Sequence, residues 1–182
     1  MSVEKRIALA EPDEVRPTSP GDRMLAFLEV FLLSLWLGSM IFFSAAVAPS
    51  AFAVLPTHEL AGALVTSTIS KIEVFGLVIG PLLILIQLAT WGRVRSSNRT
   101  KSFKVILIVI MLAAAAFSRF WVSPAMVSLR AQMNGHIDDV PATDPLRIQF
   151  NSLHHYSVWL MSAAIVCGIL MQFQIVRSWL RR

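Results

Sequence analysis

His154 stands where an apolar run of the chain begins, in helical register with Ser157, Met161, Ala164 and Gly168. An imidazole on that face points into whatever the helix packs against, where it can ligate a metal or haem iron or relay protons. The plainer reading is a histidine that hydrogen-bonds a neighbouring helix. His155 lies about 100° further round and cannot share that direction. Met126, Met133 and His136 offer thioethers and an imidazole, a set that suits Cu(I), although methionine also fills apolar gaps routinely. Cys167 is the only cysteine; it lies inside an apolar run and reads as a small packing residue. No Ser/His/Asp arrangement, paired catalytic carboxylates, phosphate loop or dinucleotide fingerprint occurs, so no catalytic residue is assigned.

The elements that must hold these residues are membrane helices. Of 182 residues, 55% are hydrophobic and 15% charged, with a mean hydropathy of +0.65. A soluble domain carries about 45–50% and 25%. Spanning takes about 20 apolar residues, and four segments qualify: about 24–48 (before Pro49), 72–91, 103–122 (before Pro124) and 156–176. Such runs are too long for barrel strands, which leaves helices. The expected fold is all-α, a four-span transmembrane helical bundle formed by residues 23–182, with residues 1–22 as a flexible cytoplasmic tail. The first apolar stretch is about twice the length of a signal-peptide core, so it reads as a retained span.

Charge inside these spans is costly and therefore informative. Glu73 opens the second span and Arg119 lies near the outer end of the third, at similar depth, which suggests an ion pair; both snorkelling to the headgroups is the alternative. Glu29 reads as interfacial. Gln87 and Glu29 alone make a poor ion path.

Twelve of the sixteen Lys and Arg residues fall in the N-terminal tail, the connection from Arg93 to Lys104 and the C-terminus, which places all three in the cytoplasm. That predicts a multi-pass protein of the plasma or bacterial inner membrane with both termini cytoplasmic. Anionic lipid accounts for the basic residues, and the absence of interleaved aromatics argues against nucleic acid. On the outer side, Thr57 is placed to cap a helix running into the second span. Pro124 opens a helix that stops near Asn134-Gly135, and Asp144-Pro145 starts one that continues into the fourth span. The helices should therefore extend beyond the outer membrane face, with residues 136–143 as the tip. Three stripes of small or polar residues should face inward: Ser34, Gly38 and Ala45; Glu73, Gly76, Gly80 and Gln87; and the His154 face. Homo-oligomerisation through Gly76 and Gly80 is the alternative, as is a membrane-protein partner.

The order Trp36-Leu37-Gly38, Phe42-Phe43, Val47-Ala48-Pro49, Leu55-Pro56, Ala61-Gly62, then Pro124, Arg130, Phe150, Leu153-His154 and Ser157 resembles the transmembrane protein 205-like family, a bacterial domain of unknown function with animal relatives. The pattern marks Gly38, Pro49, Gly62, Arg130, His154 and Ser157. The resemblance implies a four-span membrane protein without settled activity, with a non-enzymatic role in transport, trafficking or membrane-complex support. The span layout is more distantly similar to copper-resistance D-like membrane proteins and to a haem-binding membrane oxidase. No cofactor is expected; haem or copper at His154 in a redox protein is one alternative, and a small-solute or metal-ion permease is another.

Overall fold

The structure is a computed structural model and describes residues 19–93, 98–134 and 137–179. Most of the tail and Arg95, Gly135, His136, Arg181 and Arg182 lie outside the described residues. Helix α1 spans Pro20–Phe42. It starts slightly before the expected boundary because Ser19 and Asp22 form a reciprocal cap: the Ser19 side chain accepts from the Asp22 backbone N–H, and the Asp22 carboxylate accepts from that of Ser19. A π-helical turn, Phe43–Val47, leads into α2, Ala48–Val54. Helix α3 is His58–Thr90, with the Thr57 side chain accepting from Leu60 N–H as expected. Helix α4, Asn98–Phe117, passes through a second π turn, Ser118–Val122, into α5, Ser123–Gln132. A 3-10 turn at Ile137–Asp139 precedes α6, Pro145–Trp179, whose first turn is capped by Asp144 accepting from Leu146 N–H. All described elements are helical.

Neither Pro49 nor Pro124 ends its helix, which corrects the helix stops read at these prolines from the sequence. A proline lacks the N–H that would bond the carbonyl four residues back, and its ring clashes with that carbonyl. In both helices a five-residue π turn ends two residues before the proline. There Ala48 N–H bonds Phe43 O, and Ser123 N–H bonds Ser118 O. The widened turn carries the chain past the proline without a break.

Counting through these turns, four continuous rods of 33 to 35 residues are apolar enough to cross a membrane. At about 1.5 Å per residue each is about 50 Å long, against a hydrocarbon core of about 30 Å, so each projects beyond a bilayer. Each rod packs on its sequence neighbours, and α6 closes the ring onto α1. The core draws on all four: Leu33, Trp36 and Met40 from α1, Leu83 from α3, Ile108 and Met111 from α4, and Met171 from α6. Large apolar residues such as Phe27, Phe31, Leu85, Ile106 and Phe173 face outward, as a lipid-facing surface requires.

One of the three expected inward stripes is fully inward: Glu73, Gly76, Gly80 and Gln87 are buried. The His154 face is inward only in its lower half, where Ala164 and Gly168 are buried, Ser157 and Met161 are half-buried and His154 is exposed. A Cβ at Gly76 would lie 2.6 Å from the Trp36 ring, and one at Gly80 would lie 2.8 Å from Leu112. The GxxxG spacing is thus filled within the chain. The Ser34, Gly38 and Ala45 stripe is exposed instead, and nothing lies within 4 Å of a Cβ at Gly38. In α1 the bulky residues turn inward because α3 supplies the small partner: Trp36 occupies the space that Gly76 leaves.

Candidate functional site

The end of the bundle opposite both termini is built from two hairpins. Helix α2 packs on α3, and α5 packs on α6. Between them lies a cavity of about 600 Å³. The first hairpin contributes Phe52, His58, Glu59, Gly62, Thr66 and Ile69 to its wall. The second contributes Ser123, Met126 and Arg130 from α5, and Phe150, Asn151, His154 and Ser157 from α6. Asp138 and Asp139 of the 3-10 turn close the rim.

Arg130 dominates the interior. Its Nη2 would stand 2.6 Å from a Cβ at residue 62, so the guanidinium can lie against α3 only because that residue is glycine. Its other side faces the Phe150 ring, with the guanidinium carbon 5.8 Å from the ring centroid. Among the described residues the guanidinium has no hydrogen-bond or ion-pair partner. Burial pushes it below the ordinary arginine value, and the nearby Glu59 carboxylate pulls it back up.

The hairpins are tied at the rim. His58 Nδ1 and Asp138 Oδ2 are 2.7 Å apart. Arg147 holds the same turn from α6, with Nη1 donating to Val140 O at 2.5 Å and Nη2 3.8 Å from Asp138 Oδ1. Neither contact was foreseen: His58 and Asp138 sit on separate hairpins, and only the folded chain brings them together.

Below the cavity, Ser123 donates to Glu73 Oε1 at 2.9 Å, and Ser118 donates to the same oxygen at 2.5 Å. Glu73 is 4% exposed, and its Oε2 has no hydrogen-bond partner among the described residues. A void of about 30 Å³ beside it, also lined by Ser157, has room for about one water. The expected Glu73–Arg119 ion pair does not form. Ser118 is buried toward α3, whereas Arg119, the next residue of the π turn, lies further round the helix and is half-buried.

Glu29, expected at the interface, is buried at 8% exposure. Its Oε1 accepts from Lys104 Nζ at 2.7 Å and from Gln87 Nε2 at 2.8 Å. The Lys104 ammonium and the Gln87 amide together offset the cost of removing the carboxylate from water. This cluster lies at the terminal end of the bundle, separated from the cavity by the apolar core.

Of the residues the sequence pattern marked, Gly62, Arg130, His154 and Ser157 converge on the one cavity. Gly38 and Pro49 are exposed and take no part in it. Met126 lines the wall, whereas Met133 is buried outside it. The His154 ring is open to the cavity, 6.3 Å from that of His155. Among the described residues no group of three His, Cys, Asp or Glu is placed to hold a metal ion.

A family model described as a domain of unknown function, DUF4149, matches residues 31–135. The chain belongs to this family. No curated protein and no solved structure matches the chain. The matched DUF4149 region carries Gly62, Glu73 and Arg130 but stops before α6. Arg130 and the glycine that admits it therefore both belong to the family domain, while His154 and Ser157 reach the cavity from beyond the match.

Proposed function

We propose that this DUF4149 protein is a non-enzymatic, multi-pass protein of the plasma or bacterial inner membrane whose outward-facing cavity binds a small molecule in support of transport or trafficking. The observation that carries this reading is the Arg130 guanidinium, without a hydrogen-bond or ion-pair partner among the described residues, inside a cavity of about 600 Å³. Pockets that bind small molecules run to about 300–1,000 Å³, with mostly apolar walls and a few convergent polar groups. The bias of Lys and Arg toward the terminal end supports cytoplasmic termini. The resemblance to the transmembrane protein 205-like family supports a transport or trafficking setting.

Two measurements test it. A single cysteine at Thr143, which is exposed at the tip, should react in a Cys167→Ala background with a membrane-impermeant maleimide on intact cells. One at Gly92 should react only after permeabilisation; the reverse pattern overturns the orientation. Native mass spectrometry of protein extracted from its own membranes should show a bound small molecule that is lost in Gly62→Leu. Equal adducts in both proteins would argue against the cavity as the binding site.

A further inference from the structure

We infer that the cavity takes a singly charged anionic amphiphile, a molecule with one carboxylate or one phosphodiester group on an apolar body, whose anion sits on Arg130. The inference rests on the reading that the cavity is a ligand site and adds the chemical class of the ligand.

Arg130 is the first part of the argument. A guanidinium presents a planar fork of donors suited to carboxylate and phosphate oxygens. Here its two faces are taken, by α3 at Gly62 and by the Phe150 ring, while no described acceptor engages its N–H groups. Burial has stripped part of its water, so an anion arriving there meets a cation that has already lost part of its hydration.

The second part is the charge around it. Asp138 is engaged by His58 and Arg147, and Glu59 already faces the Arg130 charge. Asp139 adds a further carboxylate at the rim. One half-buried cation behind three carboxylates can accept one negative charge, whereas a polyanion would be repelled at the mouth. The third part is the wall. Phe52, Val65, Ile69, Met126 and Phe150 give the rest of the ligand an apolar surface.

The test is calorimetric titration of the full chain in phosphatidylcholine nanodiscs, with empty nanodiscs subtracted, using octanoate, octylamine, octanol and citrate. Octanoate should bind best, and Arg130→Gln should weaken it by about tenfold or more, the value of one charge-assisted contact. Arg130→Lys should retain part of the affinity, and Gly62→Leu, which drives the guanidinium from its seat, should lose it. Oleate placed in the bilayer beforehand separates the sources. Competition with octanoate means that the anion arrives from the membrane, and its absence means that it arrives from water.

Equal binding of octylamine or octanol, still sensitive to Gly62→Leu, would overturn the anion while leaving the cavity as a ligand site. Binding of citrate as tight as that of octanoate would overturn the single charge. Octanoate affinity unchanged in Arg130→Gln would overturn the anchor. If no probe binds the wild-type chain, both this inference and the reading beneath it fail.

Discussion

Arg130 rests against the bare backbone of Gly62, at a distance that a methyl group would close to 2.6 Å. The same 2.6 Å separates a Cβ at Gly76 from the ring of Trp36. The two contacts look alike but should respond differently to substitution. The Arg130 atom in question is the far end of a flexible chain bordering a cavity, and it can swing away. Trp36 is 1% exposed and packed in the core, bordering the small void beside Glu73. Gly62→Ala should therefore leave thermal stability in detergent unchanged or raise it by up to about 1 kcal/mol through helix propensity. Gly76→Ala should destabilise by about 1–3 kcal/mol, the usual cost of overpacking. Equal losses at both sites would mean that Arg130 is as tightly enclosed as Trp36.

The serines around Glu73 give a second prediction. Replacing Glu73 by Ala leaves Ser118 and Ser123 without their shared acceptor, at a cost of about 1–3 kcal/mol. In a double-mutant cycle read by thermal unfolding, Glu73→Ala and Ser118→Ala should couple by at least about 0.5 kcal/mol. Glu73→Ala and Arg119→Gln should be additive. Strong coupling of the second pair would restore the ion pair that the geometry excludes.

At the other end of the bundle, Lys104 is the cation that offsets a buried carboxylate. Lys104→Met should destabilise by about 3–5 kcal/mol because Glu29 is left buried and unpaired. Adding Glu29→Gln should recover much of that loss, since the unpaired charge goes with it. A Lys104→Met protein as stable as the parent would mean that Glu29 reaches water.

His154 supplies a prediction in pH. It precedes the apolar run that starts near Tyr156, and partial burial in the cavity wall pushes its imidazole below the ordinary value, with His155 adding a like-charge contribution. An NMR titration of labelled histidine should place its midpoint below about 6.5. Because the unfolded chain binds this proton more readily, lowering the pH through that range should cost stability. His154→Asn should remove that share of the pH dependence. A midpoint above that of a free histidine would reverse the sign and show that an anion faces the ring.

Much of the architecture was legible because it follows from local chemistry. The four apolar runs, the Thr57 and Asp144 caps and the buried Glu73 face of α3 each follow from residues adjacent on one helix. What misled was reading Pro49 and Pro124 as stops. The short sequences Val-Ala-Pro and Val-Ser-Pro end both π turns, a shared signal that breaker rules alone pass over. The Ser34 stripe misled for another reason: small residues permit close approach, but the partner helix decides which side is approached. Since α3 offers Gly76, the large face of α1 was the one to bury. The cavity was legible only as a set of marked positions. That Gly62 and Arg130 touch depends on how two hairpins lean, which no local pattern records.

The π turns have one more consequence. A π turn holds one residue more than the α-helical turn it replaces, so everything beyond it is rotated by about 100° relative to an uninterrupted helix. In the rod from Asn98 to Gln132 that phase shift lies between Ile108 and Met111, which face the core, and Arg130, which faces the cavity. Straightening Ser118–Val122 into α-helix without removing a residue would leave the core-facing half of the rod in place and turn Arg130 off the cavity. Deleting one residue there would instead close the π turn to an α turn and keep Arg130 facing it. The two ends of the molecule are thereby set in independent phase, so the cavity end can vary its facing residues without disturbing the packing of the part that crosses the bilayer.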